Sequence, residues 1–222
     1  QVLVESESDL KTLRRIVANG SFRVEANDMG AVRLLSSGDA PARNWIAGPT
    51  LNIFNPTTLD LFANLGATRW VAPPEMSRDQ IRALRDGLGH DMEVGSFAHG
   101  RRPLACSARC FTARHFNLQK DTCEFRCLSL MDGITLRTRE GEPFLTLNGV
   151  QTQSARVHNL LGDLPAVQKN AEVLRISPQG AHTRQIIELF RAVLDDAQTP
   201  SAALAASREL MVEAPCNGFW HG

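Results

Sequence analysis

Short apolar or alternating runs at residues 22–26, 45–54, 69–72 and 92–97 begin about 24 residues apart, and together they repeat one grammar: a strand-like run, a turn or cap, then a helical pattern. This spacing constrains the fold more than any other feature of the chain. Strands separated by helix-length crossovers lie parallel, because each helix must pass back over the sheet before the next strand can pair. A period of about two dozen residues suits a (β/α) barrel better than a helical bundle or a sandwich, with an open doubly wound sheet as the alternative.

Local signals place the helices. Asn55-Pro56 offers an N-cap followed by proline at the first helical position, and Ser77 with Gln80 forms a capping-box pattern ahead of Ile81, Leu84 and Leu88. Ser8-Asp9 reads as the cap of an earlier helix whose Leu10, Leu13, Ile16 and Val17 share a face and which stops near Gly20. Further on, residues 172–176 read as a strand ended by Pro178, and Ile186, Ile187, Phe190 and Val193 stripe a helix. The Ala-rich stretch at 197–207 is weakly helical. Five units of this kind are visible where a full barrel has eight, and the chain opens on Gln1 inside an apolar run, Val2-Leu3-Val4. The expectation is one α/β, TIM-type barrel-like domain over residues 1–222, incomplete at its N-terminus, with further βα units upstream.

The period breaks at residues 101–150. There, four cysteines, several Arg and Lys, and the hairpin-like turn Met131-Asp132-Gly133 replace a crossover helix. The stretch reads as a Cys-rich insertion in a βα loop, on the face where a barrel carries its chemistry.

Composition excludes some functions. With 24 basic and 24 acidic residues the net charge is zero, so the long-range field that drives non-specific nucleic-acid or membrane-surface binding is missing on average. No apolar run approaches the roughly 20 residues of a membrane span, and QVLVESESDLK has neither the basic flank nor the apolar centre of a signal peptide. A cytoplasmic protein without a membrane span or a nucleic-acid partner is expected. In that reducing setting an odd set of five cysteines suits metal binding better than a disulfide framework.

Cys106, Cys110, Cys123 and Cys127 follow the spacing C-x3-C-x12-C-x3-C. A tetrathiolate zinc site accepts such a set, although Arg109 and Phe125-Arg126 are poor zinc-knuckle residues. An iron–sulfur cluster takes thiolates at varied spacing, and Arg109, Arg114, Lys120 and Arg126 supply cationic groups that offset its negative charge. Buried cysteines acting as small hydrophobes are the third reading, but these stand among charges. Asn148-Gly149 and Ser177-Pro178-Gln179-Gly180 lie at predicted strand ends, where turn chemistry explains them as readily as ligand contact, and Gln151 is the best polar candidate nearby. Glu25, Asn27 and Asp28 end the first run in the same way, with Asp28 equally readable as a helix cap.

The phrases EANDMGAVRLL, PLACSARCFTAR, FLTLNGVQT, RISPQG and PCNGFW carry a resemblance that runs nearly end to end. The chain is similar to the collagenase-like peptidase family, and within it to the UbiU–UbiV proteins of ubiquinone biosynthesis. The resemblance implies a 4Fe–4S cluster held by four cysteines, with Cys110, Cys123 and Cys127 as three ligands and the fourth expected upstream of this chain. Cys106 and Cys216 fall outside that set. It also implies an iron–sulfur subunit needed for oxygen-independent ring hydroxylation of a ubiquinone precursor, working as a heterodimer with a UbiU-like paralogue and with a sterol-carrier-like lipid-binding protein. Arg101, Arg102, Arg109 and Arg114 become candidates for holding an anionic co-substrate. The chain is then a non-autonomous hydroxylase subunit, with catalytic residues unassigned.

Peptidase activity is not expected. G-x-S-x-G, H-E-x-x-H and a recognisable Ser/His/Asp arrangement are all missing from the sequence, which leaves Cys110 with His99, in the pair His99-Gly100, as the nearest approach to a nucleophile and base. Two other readings stay open. One is a zinc-stabilised barrel that acts as a scaffold; the other is an RNA-hydroxylating relative, whose binding would weaken steeply with salt.

Overall fold

A computed structural model describes residues 4, 6–37, 44–119 and 122–222. In chain order the elements are α1 (Glu7–Asn19), β1 (Glu25–Ala26), α2 (Met29–Ser36), β2 (Trp45–Ala47), α3 (Pro56–Asn64), β3 (Ala67–Val71), α4 (Arg78–Asp86), β4 (Glu93–Cys106), α5 (Phe111–His115), β5 (Ile134–Arg137), β6 (Pro143–Asn148), β7 (Gln151–Asn159), α6 (Leu164–Gln168), β8 (Val173–Ile176), α7 (Thr183–Leu194), α8 (Pro200–Ser207) and β9 (Pro215–Cys216). The chain divides into two compact units. The first is Gln1–Phe97 with Ala166–Arg175 and Gly218–Gly222, and the second is Ala98–Pro165 with Ile176–Asn217.

The first unit holds the predicted βα grammar. Its strands run parallel in the order β1-β2-β3-β4, with Ala26 opposite Ala47, Ile46 opposite Arg69, and Trp70 opposite Val94. Asn55 Oδ1 accepts from the Thr58 N–H and starts α3, while Ser77 and Gln80 close a reciprocal capping box on α4. The cap of α1 is Ser6 rather than Ser8. Asp9 sits at the third helical position, where its carboxylate takes the Ser6 N–H and its own N–H bonds the Ser6 hydroxyl. Strand β2 stops at Ala47, well short of the predicted residue 54, because Gly48-Pro49 turns the chain into a short 3-10 helix, Pro49–Leu51, and proline has no N–H for a ladder. Trp45, Ile53, Leu59 and Trp70 are fully buried, and the Trp45 ring meets Phe62 edge-on at 6.2 Å. Each such side chain contributes about 1.5–3 kcal/mol by leaving water.

The second unit is built differently. Its strands β4, β7, β6 and β5 are antiparallel neighbours, with His99 opposite Asn159, Leu145 opposite Ser154, and Ile134 opposite Leu147. The segment read as a loop insertion, residues 101–150, therefore carries the end of β4, α5, β5 and β6 in regular structure. Alternation such as Thr146 inward against half-buried Leu145 and Leu147 suits a strand with two unlike faces. A TIM-type barrel requires parallel strands throughout, so what stands is a mixed α/β fold. Leu160, Leu161, Leu164, Ile186 and Phe190 form the core of this unit. Among the described residues, no helix is long and apolar enough to cross a membrane.

Candidate functional site

The cysteine segment hangs from the β6–β7 hairpin. Gly149 adopts a left-handed φ of 59°, and its carbonyl accepts the Phe111 N–H at 2.7 Å while its own N–H donates to Thr112 Oγ1 at 3.3 Å. Asn148-Gly149 is thus a turn, as turn chemistry predicts, and the same turn fixes the start of α5. Cys110 is the residue that caps this helix, its sulfur accepting from the Ala113 N–H at 3.4 Å. The 3-10 turn Arg126–Ser129, which contains Cys127, packs against α5. Cys123 precedes it by one turn, with its carbonyl taking the Arg126 N–H at 3.1 Å. Between the two thiols, Glu124 and Phe125 both occupy positive φ, at 49° and 52°. Two successive non-glycine residues in that region are strained by about 1–2 kcal/mol each, a feature that clusters at functional loops.

All five cysteines are free thiols, with Cys106 exposed and Cys110, Cys123, Cys127 and Cys216 half-buried. The donor chemistry of Cys110, Cys123 and Cys127 fits a thiophilic metal or cluster, and the elements that carry Cys110 and Cys127 touch. Even so, among the described residues no group of three or more His, Cys, Asp or Glu side chains is gathered to hold a metal ion. Arg109 and Arg114 are exposed beside the segment, Arg126 lies 3.5 Å from Glu124, and Lys120 falls outside the described residues.

His99 is a strand residue, completely buried, and neither ring nitrogen has a hydrogen-bond partner among the described residues. Its ring stands edge-on to Phe190 at 6.0 Å, and burial lowers its pKa to about 4. A histidine closed off in this way is poorly suited to serve Cys110 as a base. The neighbouring Gly100 has φ +119°, and a Cβ there would stand 2.6 Å from Ser177 Cβ, so the His-Gly pair is a place where two backbones meet. Asp28 caps α2 by accepting the Ala31 N–H, which is its capping role.

A second feature of the same unit is a pocket on the antiparallel strands, lined by Arg101, Asp132, Asn148, Gln153, Ser177 and Gln179 among others. Arg101 Nη1 is tied to Thr146 Oγ1 at 2.7 Å and to the carbonyls of Ser154, at 3.1 Å, and Ala155. Burial pushes the Arg101 pKa down, opposed by the charges of Glu213 and Asp132. Of these residues, Asp132 was read in the sequence only as part of a turn. Nothing in its local pattern distinguishes a turn aspartate from one that faces a pocket.

A family model described as peptidase family U32 matches residues 3–214. The chain belongs to peptidase family U32. A curated relative of this U32 chain, tRNA hydroxylation protein P of Escherichia coli (strain K12), is 26% identical over 121 residues, which is 53% of the chain and 26% of that protein. The chain spans about a quarter of the length of this relative. Among solved structures, that of the U32 peptidase Mk0906 aligns over 79% of the chain and 64% of its own, at 16% identity and a TM-score of 0.40.

Proposed function

We propose that this U32 chain is an iron–sulfur-bearing, non-autonomous subunit of an oxygen-independent hydroxylase, with Cys110, Cys123 and Cys127 as three thiolates and the fourth ligand from outside this set. The observation that carries the reading is the grouping of three free thiols on one segment of a U32 protein, with α5 and the Cys127 turn in contact. The similarity to a protein named for tRNA hydroxylation supports the reaction class. A 4Fe–4S cluster bound there would supply one-electron transfer. The chain's own part is positional: the Gly149 turn fixes α5, and Arg109 and Arg114, exposed within four residues of Cys110, bring positive charge to the segment. Within this class, the resemblance of PLACSARCFTAR, FLTLNGVQT and RISPQG favours a UbiV-like role on a ubiquinone precursor, in a heterodimer with a UbiU-like paralogue and with a sterol-carrier-like protein.

The test is iron, acid-labile sulfide and zinc per chain in anaerobically purified protein, with EPR after dithionite reduction. About four iron and four sulfide atoms and a reduced-cluster signal are expected. Zinc in place of iron would sink the cluster reading and leave a structural site. The relative's name favours tRNA as a second candidate substrate. Binding of tRNA that falls steeply between low and physiological salt supports that alternative, and salt-insensitive binding of a quinone precursor supports the first.

A further inference from the structure

The two most exposed large apolar side chains of the second unit stand on one short turn. Phe125 and Leu128 are 72% and 73% exposed, and Phe116 is 42% exposed. Phe125 opens the 3-10 turn Arg126–Ser129 and Leu128 lies within it; that turn packs against α5, which Phe116 ends. A side chain nearly three-quarters exposed projects from the surface instead of lying along it, and Phe125 is held there by a left-handed backbone, φ 52°. Single apolar residues scattered over a surface need no explanation, whereas three on two small elements in contact form a cluster.

Positive charge accompanies the cluster. Arg109 precedes the cap of α5 and Arg114 belongs to the helix; both are exposed, and neither forms an ion pair among the described residues. The described acids of the segment are engaged, Glu124 with Arg126 at 3.5 Å and Asp132 with the Gly180 N–H at 2.9 Å. A symmetric second copy fits this surface poorly, because it brings the same two arginines against these. A nucleic-acid strand matches the arginines but leaves Leu128 in water. We propose that this end of the unit docks on an anionic lipid bilayer, with Phe116, Phe125 and Leu128 entering the boundary between headgroups and acyl chains and with Arg109 and Arg114 on lipid phosphates. Apolar tips beside cations hold a protein on a bilayer surface without a span. Since the net charge of the chain is zero, the attraction acts through this end alone and is short-ranged. Cys123 and Cys127 flank Phe125 in the chain, so docking sets the thiol segment at the lipid–water boundary. The proposal does not rest on the iron–sulfur reading, and iron content and vesicle binding are measured separately.

The test is co-sedimentation of the purified protein with vesicles of phosphatidylcholine alone and of phosphatidylcholine mixed with phosphatidylglycerol. Binding to the mixed vesicles is expected on the order of 10⁴ M⁻¹, comparable to one myristoyl chain, and about tenfold stronger than binding to the neutral ones. Phe125→Asn, which suits the left-handed backbone, combined with Leu128→Gln, is expected to weaken binding to both by at least about tenfold. Arg109→Gln with Arg114→Gln should remove the preference for anionic lipid and leave the neutral binding as it was. Both double variants should keep the thermal transition of the unaltered protein, because all four side chains are exposed. No sedimentation with the mixed vesicles would overturn the proposal. Undiminished binding of the Phe125→Asn, Leu128→Gln variant would overturn it too, and a dimer in solution that this variant dissociates, without vesicle binding, would assign the cluster to a second copy instead.

Discussion

Gly100 and His99 sit side by side in β4 and illustrate two demands on single residues. At Gly100 a β-carbon would press on Ser177 Cβ at 2.6 Å and its carbonyl at 2.9 Å, in a backbone conformation that side chains avoid. Gly100→Ala is therefore expected to destabilise by about 3 kcal/mol or more, read as a lower urea midpoint; an unchanged midpoint would mean that the 177 loop moves away freely. His99 couples stability to pH. Its folded pKa, about 4, lies below the ordinary 6.5, so the unfolded chain takes up the proton first as pH falls. The stabilisation is complete above about 6.5 and is lost as pH drops toward 4, on the order of 2–3 kcal/mol over that window. His99→Leu should flatten this part of the stability–pH curve, and parallel curves for the two proteins would show that the ring is not buried in solution.

Within the second unit, α5 is a short helix with little stability of its own, so its position depends on the hairpin beside it. Thr112 is buried, and its hydroxyl accepts the Gly149 N–H. Thr112→Val removes that acceptor at nearly constant shape and is expected to cost about 1–2 kcal/mol. Hydrogen exchange should show faster exchange at residues 111–116 in the variant, with β7 unaffected; uniform loosening of the unit would contradict the local role. The positive-φ pair Glu124-Phe125 belongs to the same scale, since it shapes the turn between Cys123 and Cys127 that no helix or strand imposes.

Across the whole chain, none of the three proposed ligand thiols belongs to the buried apolar core. The triple variant Cys110→Ser, Cys123→Ser, Cys127→Ser should accordingly keep the metal-free unfolding free energy within about 1 kcal/mol while losing bound iron. Collapse of the metal-free variant would assign these thiols to packing instead. The zero net charge matters at this scale too, because any nucleic-acid contact has to come from locally exposed cationic side chains, of which Arg109 and Arg114 are two.

What the sequence determined by itself is local and periodic. Asn55-Pro56, Ser77 with Gln80, and the 24-residue spacing lead to the parallel βα run of the first unit, because caps and crossovers act over a few residues or one helix length. The spacing of Cys110, Cys123 and Cys127 was legible in the same way, and so was the turn at Asn148-Gly149. Tertiary structure alone decided that residues 101–150 form antiparallel strands, since strand direction depends on partners such as Asn159, which lies 60 residues from His99 along the chain. It also decided that His99 is sealed away and that Arg101, Asp132 and Gln179 face one cavity. Those three residues meet only because β4, a turn and a loop after β8 converge, and no local pattern encodes a convergence of segments that far apart.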